Sequence, residues 1–264
     1  MFSRHALAYH QRLEDIMSRG ESAGRTRVVE LIDARPGMRI LDLACGPGTL
    51  TRRLAAIVSP GGEVVGLDLA PGMIALARSI NIPAARFELM DIERLELADQ
   101  SFDAALCGHG LQFVSDLPRA LSEARRVLRP KGRLVASVPV TGQKEAVWEL
   151  LDAVIDRWLP PAQEAVDQLP TRATVQNAVA FRQAALDAGF STARVELIEE
   201  VVHWESAEQL VSNFMGWVLS AARLEGTGAS RRQAIMDDAI ETLRRDRPGK
   251  IETKGRNHVL FAEA

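Results

Sequence analysis

The sequence predicts an α/β fold, a doubly wound and mostly parallel sheet with helices on both faces. Three observations predict it. Across residues 38–138, short apolar runs alternate with segments of helical spacing. Glycine or proline stands at most of the changeovers. The length of 264 residues, 47% hydrophobic and 25% charged, suits one large α/β domain or a core of about 150–200 residues with an elaboration.

Taken in order, Leu7, Tyr9, Leu13, Ile16 and Met17 give residues 4–19 a helical spacing. A short helix over 26–33 follows, and Pro36-Gly37 breaks the chain. Residues 39–44 read as a short buried strand, and 49–58 as a helix ended by Ser59-Pro60-Gly61-Gly62. Residues 63–67 form the second strand; Pro71, favoured in a first turn, opens a helix to Arg78. Residues 86–90 and 103–107 are the third and fourth strands. Asp116 can cap a helix over 118–127. Arg129-Pro130-Lys131-Gly132 then turns into a fifth strand, 133–138. Strands alternating with helices in this way imply a parallel sheet covered on both sides. Beyond Pro139 the rhythm loosens. Helices are expected over 144–158, stopped by Leu159-Pro160-Pro161, and over 175–188, ended by Gly189. A strand over 194–204, helices over 206–223 and 231–245, and a last strand over 251–261 complete the chain.

The formal net charge of −3 offers no bulk attraction to phosphate backbones, so nucleic acid is not an expected partner. Cys45 and Cys107 lie in no C-x-x-C or Cys/His cluster, so neither a disulfide framework nor a metal site is expected. The opening MFSRHALAYHQRLED turns polar too soon for a signal peptide, and no apolar run reaches the roughly 18 residues of a membrane span. A cytoplasmic protein without membrane insertion is the expectation.

The stretch LDLACGPGTLTRRLA, residues 41–55, carries the functional argument. An open parallel sheet binds its ligand beyond the carboxyl ends of its strands. Gly46-Pro47-Gly48 stands there, and a glycine backbone can approach a ligand that a Cβ would push away. The helix starting at Thr49 aims free N–H groups at the same loop. Asp42 sits inside the strand end and could hold a cationic group. Asp68 ends the second strand, where a carboxylate can accept both hydroxyls of a ribose. Asp91 ends the third, where it can accept from an adenine amino group. Such a row of acids repels a phosphate-rich ligand but tolerates ribose and adenine with a cationic amino acid tail. A dinucleotide fingerprint wants Gly-x-Gly-x-x-Gly; the third position here is Thr51, and Asp42 would repel a pyrophosphate.

These residues resemble the class I S-adenosylmethionine-dependent methyltransferases, nearest the ubiquinone/menaquinone-biosynthesis type and many natural-product enzymes. ILDLACGPGT is similar to their first glycine motif, and VVGLDLAPGMIALAR to their second-strand acid and helix. MDIERLELADQSFDAALCGHGLQFVSD is similar to their third and fourth strands, and LRPKGRL to the turn before the fifth. The likeness covers residues 26–140. It implies a Rossmann-like, seven-stranded sheet with a helical substrate cap: cap helices over 1–35, a cofactor-binding core over 36–140, and cap helices with the last strands over 141–264. It implies S-adenosyl-L-methionine as cofactor. Asp42, Gly46 and Gly48 would lie along its methionine and ribose, and Asp68 would hold the ribose hydroxyls. Leu69 and Met73 would pack on the adenine, and Asp91 with the backbone of Ile92 would read its edge. Cys107 and Gly108 would present backbone to the methionyl group, and Tyr9 would close the pocket. Ala44 departs from the glycine of many relatives but remains small.

His109, just past the fourth strand, is the candidate general base; shaping the pocket wall is the plainer role. Gln112 and Phe113 follow it and either touch substrate or pack a helix start. Trp148, Trp158, Trp204, Phe214, Met215 and Trp217 could meet a large apolar substrate, though core packing accounts for most of them. His10 and His203 are read as surface or edge residues, His5 and His258 as surface histidines, and Cys107 as a small strand-end residue. Arg125, Arg126, Arg129 and Lys131 form a solvated helix end rather than a nucleic-acid patch. The expected activity is methyl transfer to a small, largely apolar metabolite, on oxygen, nitrogen or carbon. The alternatives are a tRNA or protein methyltransferase, or a cofactor-binding relative that does not methylate. The (D/N)-P-P-(Y/F) stretch of many nitrogen methyltransferases is absent; Cys107-Gly108-His109-Gly110 stands in its place. The cap helices leave room for a homodimer.

Overall fold

A computed structural model describes residues 6–140, 145–160, 170–216 and 218–264. His5, Lys144, Pro161 and Trp217 lie outside the described residues. The strands are β1 (Arg39–Leu43), β2 (Glu63–Asp68), β3 (Ala85–Leu89), β4 (Phe102–Gly108), β5 (Leu128–Pro139), β6 (Thr192–Trp204) and β7 (Ile251–Glu263). They form one seven-stranded sheet in the order β3-β2-β1-β4-β5-β7-β6. The pairs β2–β3, β1–β2, β1–β4 and β4–β5 are parallel, while β7 runs antiparallel to β5 and β6. Strand order reverses between β1 and β4, and in a doubly wound sheet the crevice opens at that point.

The helices are α1 (Ala6–Ser18), α2 (Ala23–Ile32), α3 (Thr49–Val58), α4 (Pro71–Ser79), α5 (Leu117–Val127), α6 (Ala146–Trp158), α7 (Pro170–Gln176), α8 (Ala178–Asp187), α9 (Ala207–Met215), α10 (Val218–Arg223) and α11 (Ala229–Asp246). The apolar side chains of β1, β2 and β4 are buried on both faces, as strands between two helical layers must be. One face carries α1 to α4 through Leu13, Val28, Ile32, Leu54, Val58 and Ile74. The other carries α5, α7 and α8 through Leu121, Ala124, Val175, Phe181 and Ala185. A third cluster joins α6, α9 and α11 around Leu151, Leu210, Phe214, Ile235 and Leu243.

That third cluster stands over the carboxyl edge of the sheet, and register explains why. β5 pairs with β7 only as far as Pro139 opposite Asn257, whereas β6 and β7 stay paired to Trp204 opposite Ile251. The overhanging β6–β7 pair carries Trp204 and Ile251 into the third cluster, and Trp204 Nε1 donates to Thr253 Oγ1 at 2.9 Å. α1 bridges the two levels, burying Leu13 and Met17 against the sheet and Ile16 against the cap.

Four local readings need correction. The helix expected over 175–188 is two helices, because Asn177 caps α8, its Oδ1 accepting from the N–H groups of Val179 and Ala180 at 3.0 Å. α8 also lies on the sheet beside α5 rather than in the cap. The helix expected over 206–223 ends at Met215, where Gly216 caps α9, and resumes at Val218. Arg129-Pro130-Lys131-Gly132 lies within β5 as an irregularity, with Lys131 at φ +65° and its N–H bonded to the Ala264 carbonyl. His258 is buried, not surface: β7 is an interior strand, and Nδ1 meets the Val175 carbonyl at 3.0 Å.

The residue after β1 bears directly on the crevice. Ala44 adopts φ +55°, a left-handed conformation that costs an L side chain about 1 kcal/mol. Being small was therefore not the whole requirement; a glycine would sit there without strain. Ala44→Gly is expected to raise the unfolding free energy by about 0.5 kcal/mol, the strain relief being partly offset by the freer unfolded chain. A urea titration reads this as a higher midpoint at unchanged slope.

Candidate active site

The turn from β1 into α3 is bonded across to β2. The N–H of Cys45 donates to the Leu67 carbonyl at 2.8 Å, and the N–H of Gly46 to Asp68 Oδ2 at 2.8 Å. Gly48 caps α3 at φ +84°, and a Cβ there would stand 2.8 Å from the Phe87 ring. Only glycine closes this turn. The place of a Cβ on Gly46 faces the Tyr9 ring at 3.8 Å, so α1 does bring Tyr9 over the turn.

The three acids form a staircase rather than a level row. Asp42 lies opposite Gly66 in the ladder and Asp68 opposite Leu89, so each successive acid stands further out. Asp42 is 1% exposed and accepts from Thr51 Oγ1 at 2.6 Å. Burial pushes its carboxyl up to about 7; the nearby Asp68 adds to the rise, and Thr51 opposes it. Asp68 is half-buried, and burial raises its pKa against the N–H groups of Ala70, Gly46 and Leu69. Its Oδ1 accepts from the Ala70 N–H at 2.8 Å, which leaves each oxygen further acceptor capacity. Asp91 is exposed beyond β3 and accepts from the Glu93 N–H at 2.9 Å, next to a buried Ile92. Leu69 is 67% exposed at the rim, whereas Met73 is buried at 2%; of this pair only Leu69 presents free surface.

At the end of β4, Cys107 is fully buried and its thiol is pushed up to about 12, by burial first and then by Asp42. That is an inert thiol. A Cβ on Gly108 would strike Leu50 Cδ1 at 2.5 Å, and Arg25 Cγ lies 3.8 Å from the same point. His109 adopts φ +65°. Its N–H donates to the Ser137 carbonyl at 2.9 Å, and its carbonyl accepts from Gln112 Nε2 at 3.0 Å. Burial holds the ring well below the ordinary histidine pKa; the Arg25 charge acts the same way, and the adjacent Asn257 side chain opposes both. Among the described residues, His109 Nε2, Ser137 Oγ and both polar atoms of the Asn257 side chain are buried without a hydrogen-bond partner.

Arg25, Thr51, Ser137 and Asn257 were not picked out by sequence reasoning as site residues. Thr51 stood only as the missing third glycine. Ser137 and Asn257 come from strands whose pairing no local motif announces. The aromatic residues of the cap pack as core: Trp148 stacks on Phe214 at 6.0 Å, Trp158 Nε1 donates to Asp238 Oδ2 at 2.7 Å, and Met215 is buried. Phe113 stays partly exposed. His203 is exposed between Glu21 and Glu252, and His10 is half-buried. Arg126 holds Glu123, Asp99 and the Leu95 and Leu97 carbonyls, so the basic helix end serves the fold. Among the described residues, no three His, Cys, Asp or Glu side chains are placed to hold a metal ion, and no helix is long and apolar enough to cross a membrane.

Comparisons with known proteins bear on the same segment. A family model described as a methyltransferase domain matches residues 41–136. The chain is 43% identical over 179 residues to an uncharacterized 37.1 kDa protein in a transposon of Streptomyces fradiae, covering 66% of this chain and about half (49%) of that protein. It is 35% identical over 164 residues to the 2-phytyl-1,4-naphtoquinone methyltransferase of Thermosynechococcus vestitus, covering 61% of this chain and 72% of the relative. Among solved structures, the YcgJ protein from Bacillus subtilis shares the fold, with a TM-score of 0.58 at 18% identity over 91% of this chain and 97% of that one. A glycine turn tied to an acid at the end of β2, on a sheet of this order and beside such relatives, places the chain among the class I S-adenosylmethionine-dependent methyltransferases, in the ubiquinone/menaquinone-biosynthesis-like group.

Proposed function

We propose that the chain moves a methyl group from S-adenosylmethionine to a small, largely apolar metabolite in the cytoplasm. The observation that carries this is the pair of carboxyls, Asp42 and Asp68, whose pKa values burial raises beside a turn opened by Gly46 and Gly48. Such a site favours a ligand that brings both a positive charge and hydroxyl donors. When bound, S-adenosylmethionine supplies a methyl group already activated on a sulfonium. The chain's part is then to hold, orient and exclude water, and alignment of that kind contributes about 7–11 kcal/mol to barrier lowering.

Gly46 and Gly48 let the backbone come close, and the free acceptor positions of Asp68 suit ribose hydroxyls. Asp91 and the Ile92 backbone suit the adenine edge, with Leu69 over the ring and Met73 beneath the rim. Asp42 acts from below through its charge. The backbone of Cys107 and Gly108 flanks the methionyl group, and Tyr9 roofs the turn. His109 is neutral in this setting, its Nε2 turned into the protein beside Asn257. Its Nδ1 is the atom to take a proton from a hydroxyl or acidic carbon of the acceptor. The cap, made of α1, α6, α9, α10 and α11, holds the acceptor, and quinone-ring acceptors of the kind named for the T. vestitus relative are the first to try. Labelled cofactor incubated with such acceptors should yield a labelled product identifiable by mass. Release of S-adenosylhomocysteine without a labelled product would point to a non-methylating member of the fold.

Asp42 makes cofactor binding depend on pH. Its folded pKa is raised above the unfolded value, so its stabilising contribution is complete below about pH 4 and is lost as pH rises through about 7. The free protein should lose about 3 kcal/mol of stability on this account between pH 5 and pH 8, read by urea titration, and Asp42→Asn should flatten the slope. A bound ammonium favours the ionised form, so S-adenosylhomocysteine affinity by calorimetry should rise from pH 6 to pH 8 in the natural protein and stay level in Asp42→Asn. No binding at any pH would remove the cofactor assignment. His109→Ala should lower kcat about 10²-fold or more with an acceptor that must lose a proton, leaving S-adenosylhomocysteine affinity intact. Because the ring stays neutral, the natural enzyme's kcat at saturating cofactor should not fall as pH drops through 6.5. Unchanged turnover in the variant would remove the base from the mechanism.

A further inference from the structure

Two arginines at the mouth of the crevice are left without a counter-charge. Arg12 on α1 and Arg25 on α2 lie close enough for each to feel the other's charge. The Arg12 guanidinium stacks over the Tyr9 ring at 5.4 Å, and Arg25 donates to the Tyr9 hydroxyl at 3.3 Å. Arg25 otherwise donates to Ser22 Oγ at 3.3 Å, and Arg12 to the Asn213 carbonyl at 3.4 Å. Each guanidinium has five N–H donors, so most of them remain unmatched. Among the described residues, no carboxylate lies within ion-pair distance of either arginine. The acids of the neighbouring elements are engaged elsewhere: Glu14 with Arg52 and Arg53, Glu21 with Arg19 and His203, and Glu200 with the Gly24 N–H. Burial pulls the Arg12 pKa down, the sign of a charge removed from water without compensation.

The pair also has an address. Arg25 approaches Gly108 at the end of β4, where the reacting methyl is expected. Arg12 Nη1 stands 2.5 Å from the place of a Cβ on Gly216, against the end of α9 in the cap. Tyr9 between them faces Gly46. The stem of Arg25 thus lies beside the end of β4 and its fork at the Tyr9 hydroxyl, while the Arg12 fork reaches the end of α9, so the pair runs from the cofactor turn to the cap. The last carbonyls of α9 give Arg12 a weakly favourable seat but accept a single long bond.

We propose that Arg12 and Arg25 form an anion clamp that binds a carboxylate on the methyl acceptor, so the preferred substrate is an apolar body bearing one acidic group. This rests on the methyltransferase reading and narrows its acceptor class. A charged donor fork matches a carboxylate two bonds at a time, and a neutral amide of the same shape leaves those donors unpaired. The cofactor's own carboxylate is the rival occupant, and the test separates the two.

Calorimetry on protein saturated with S-adenosylhomocysteine compares 3-phenylpropionate with 3-phenylpropionamide. The clamp predicts at least tenfold tighter binding of the carboxylate. Arg12→Gln should bring the two probes near parity and Arg12→Lys should restore part of the preference, with S-adenosylhomocysteine affinity within about threefold throughout. Absence of a carboxylate preference in the natural protein overturns the proposal and requires no variant to fold. A preference seen only without S-adenosylhomocysteine, or a variant that loses S-adenosylhomocysteine and carboxylate alike, also overturns it, because the clamp then belongs to the cofactor. If S-adenosylhomocysteine does not bind the natural protein at all, the methyltransferase reading fails by itself, while the probe comparison on the free protein still decides for or against an anion clamp.

Discussion

The N–H of Gly46 donating to Asp68 Oδ2 across 2.8 Å is the bond on which the crevice depends. It ties the turn after β1 to the end of β2, so the two strands cannot slide without opening the turn. The same carboxylate accepts from Ala70 on its other oxygen and so also sets the entry to α4. A group that orders two backbone segments has its orientation fixed before any ligand arrives. Preorganisation of that kind lowers the cost of binding, because the loop is not ordered at the moment of contact. The same bonds hold Asp68 half-buried, where burial raises its pKa against their opposing effect.

Asp42 plays a different part although it is the same residue type one strand away. It lies two rungs deeper, behind Thr51, with almost no exposed surface. Its effect on the site is therefore long-range: a buried carboxyl poised near neutrality, next to a second acid, lowers its own energy by ionising only when a cation comes close. The pair acts as a charge trap of adjustable depth. A row of three equally exposed acids, as the bare spacing suggests, would hold a cation at any pH and would repel one another more strongly in the empty state.

From residues 36 to 140 the fold was legible because each signal is local. Parallel strands buried on both faces read as apolar runs, Pro71 and Asp116 mark helix starts, and Gly46-Pro47-Gly48 marks the turn. Acids 42, 68 and 91 could be found by counting to strand ends. What could not be found depends on contacts between distant segments. Nothing near His258 announces that β7 enters between β5 and β6, which is why a buried histidine read as a surface one. Asn177 interrupts a continuous helical spacing through its own side chain, and apolar periodicity carries no trace of that. The left-handed backbone at Ala44 shows the limit of reasoning from side-chain size, since the demand there is on φ. His109 was located correctly at the end of β4, but its neutral state follows from burial and from the charge of Arg25 on α2, against the opposing effect of Asn257 on β7.

The two charge groupings come from different elements. Carboxyls 42 and 68 stand at the ends of β1 and β2 beside the glycine turn, and Arg12 and Arg25 come from α1 and α2 and meet at Tyr9. The Tyr9 ring separates the two groupings, resting over Gly46 on one side and carrying Arg12 on the other. On the proposed function and the proposed clamp, a cationic ligand would be drawn to the acids and an anionic one to the arginines, with the end of β4 near both. Among the described residues no ion pair joins Asp42 or Asp68 to either arginine; Asp42 is bonded to Thr51 and Arg25 to Tyr9. On those proposals the two ligands would meet beside Gly108 and His109, at the end of β4.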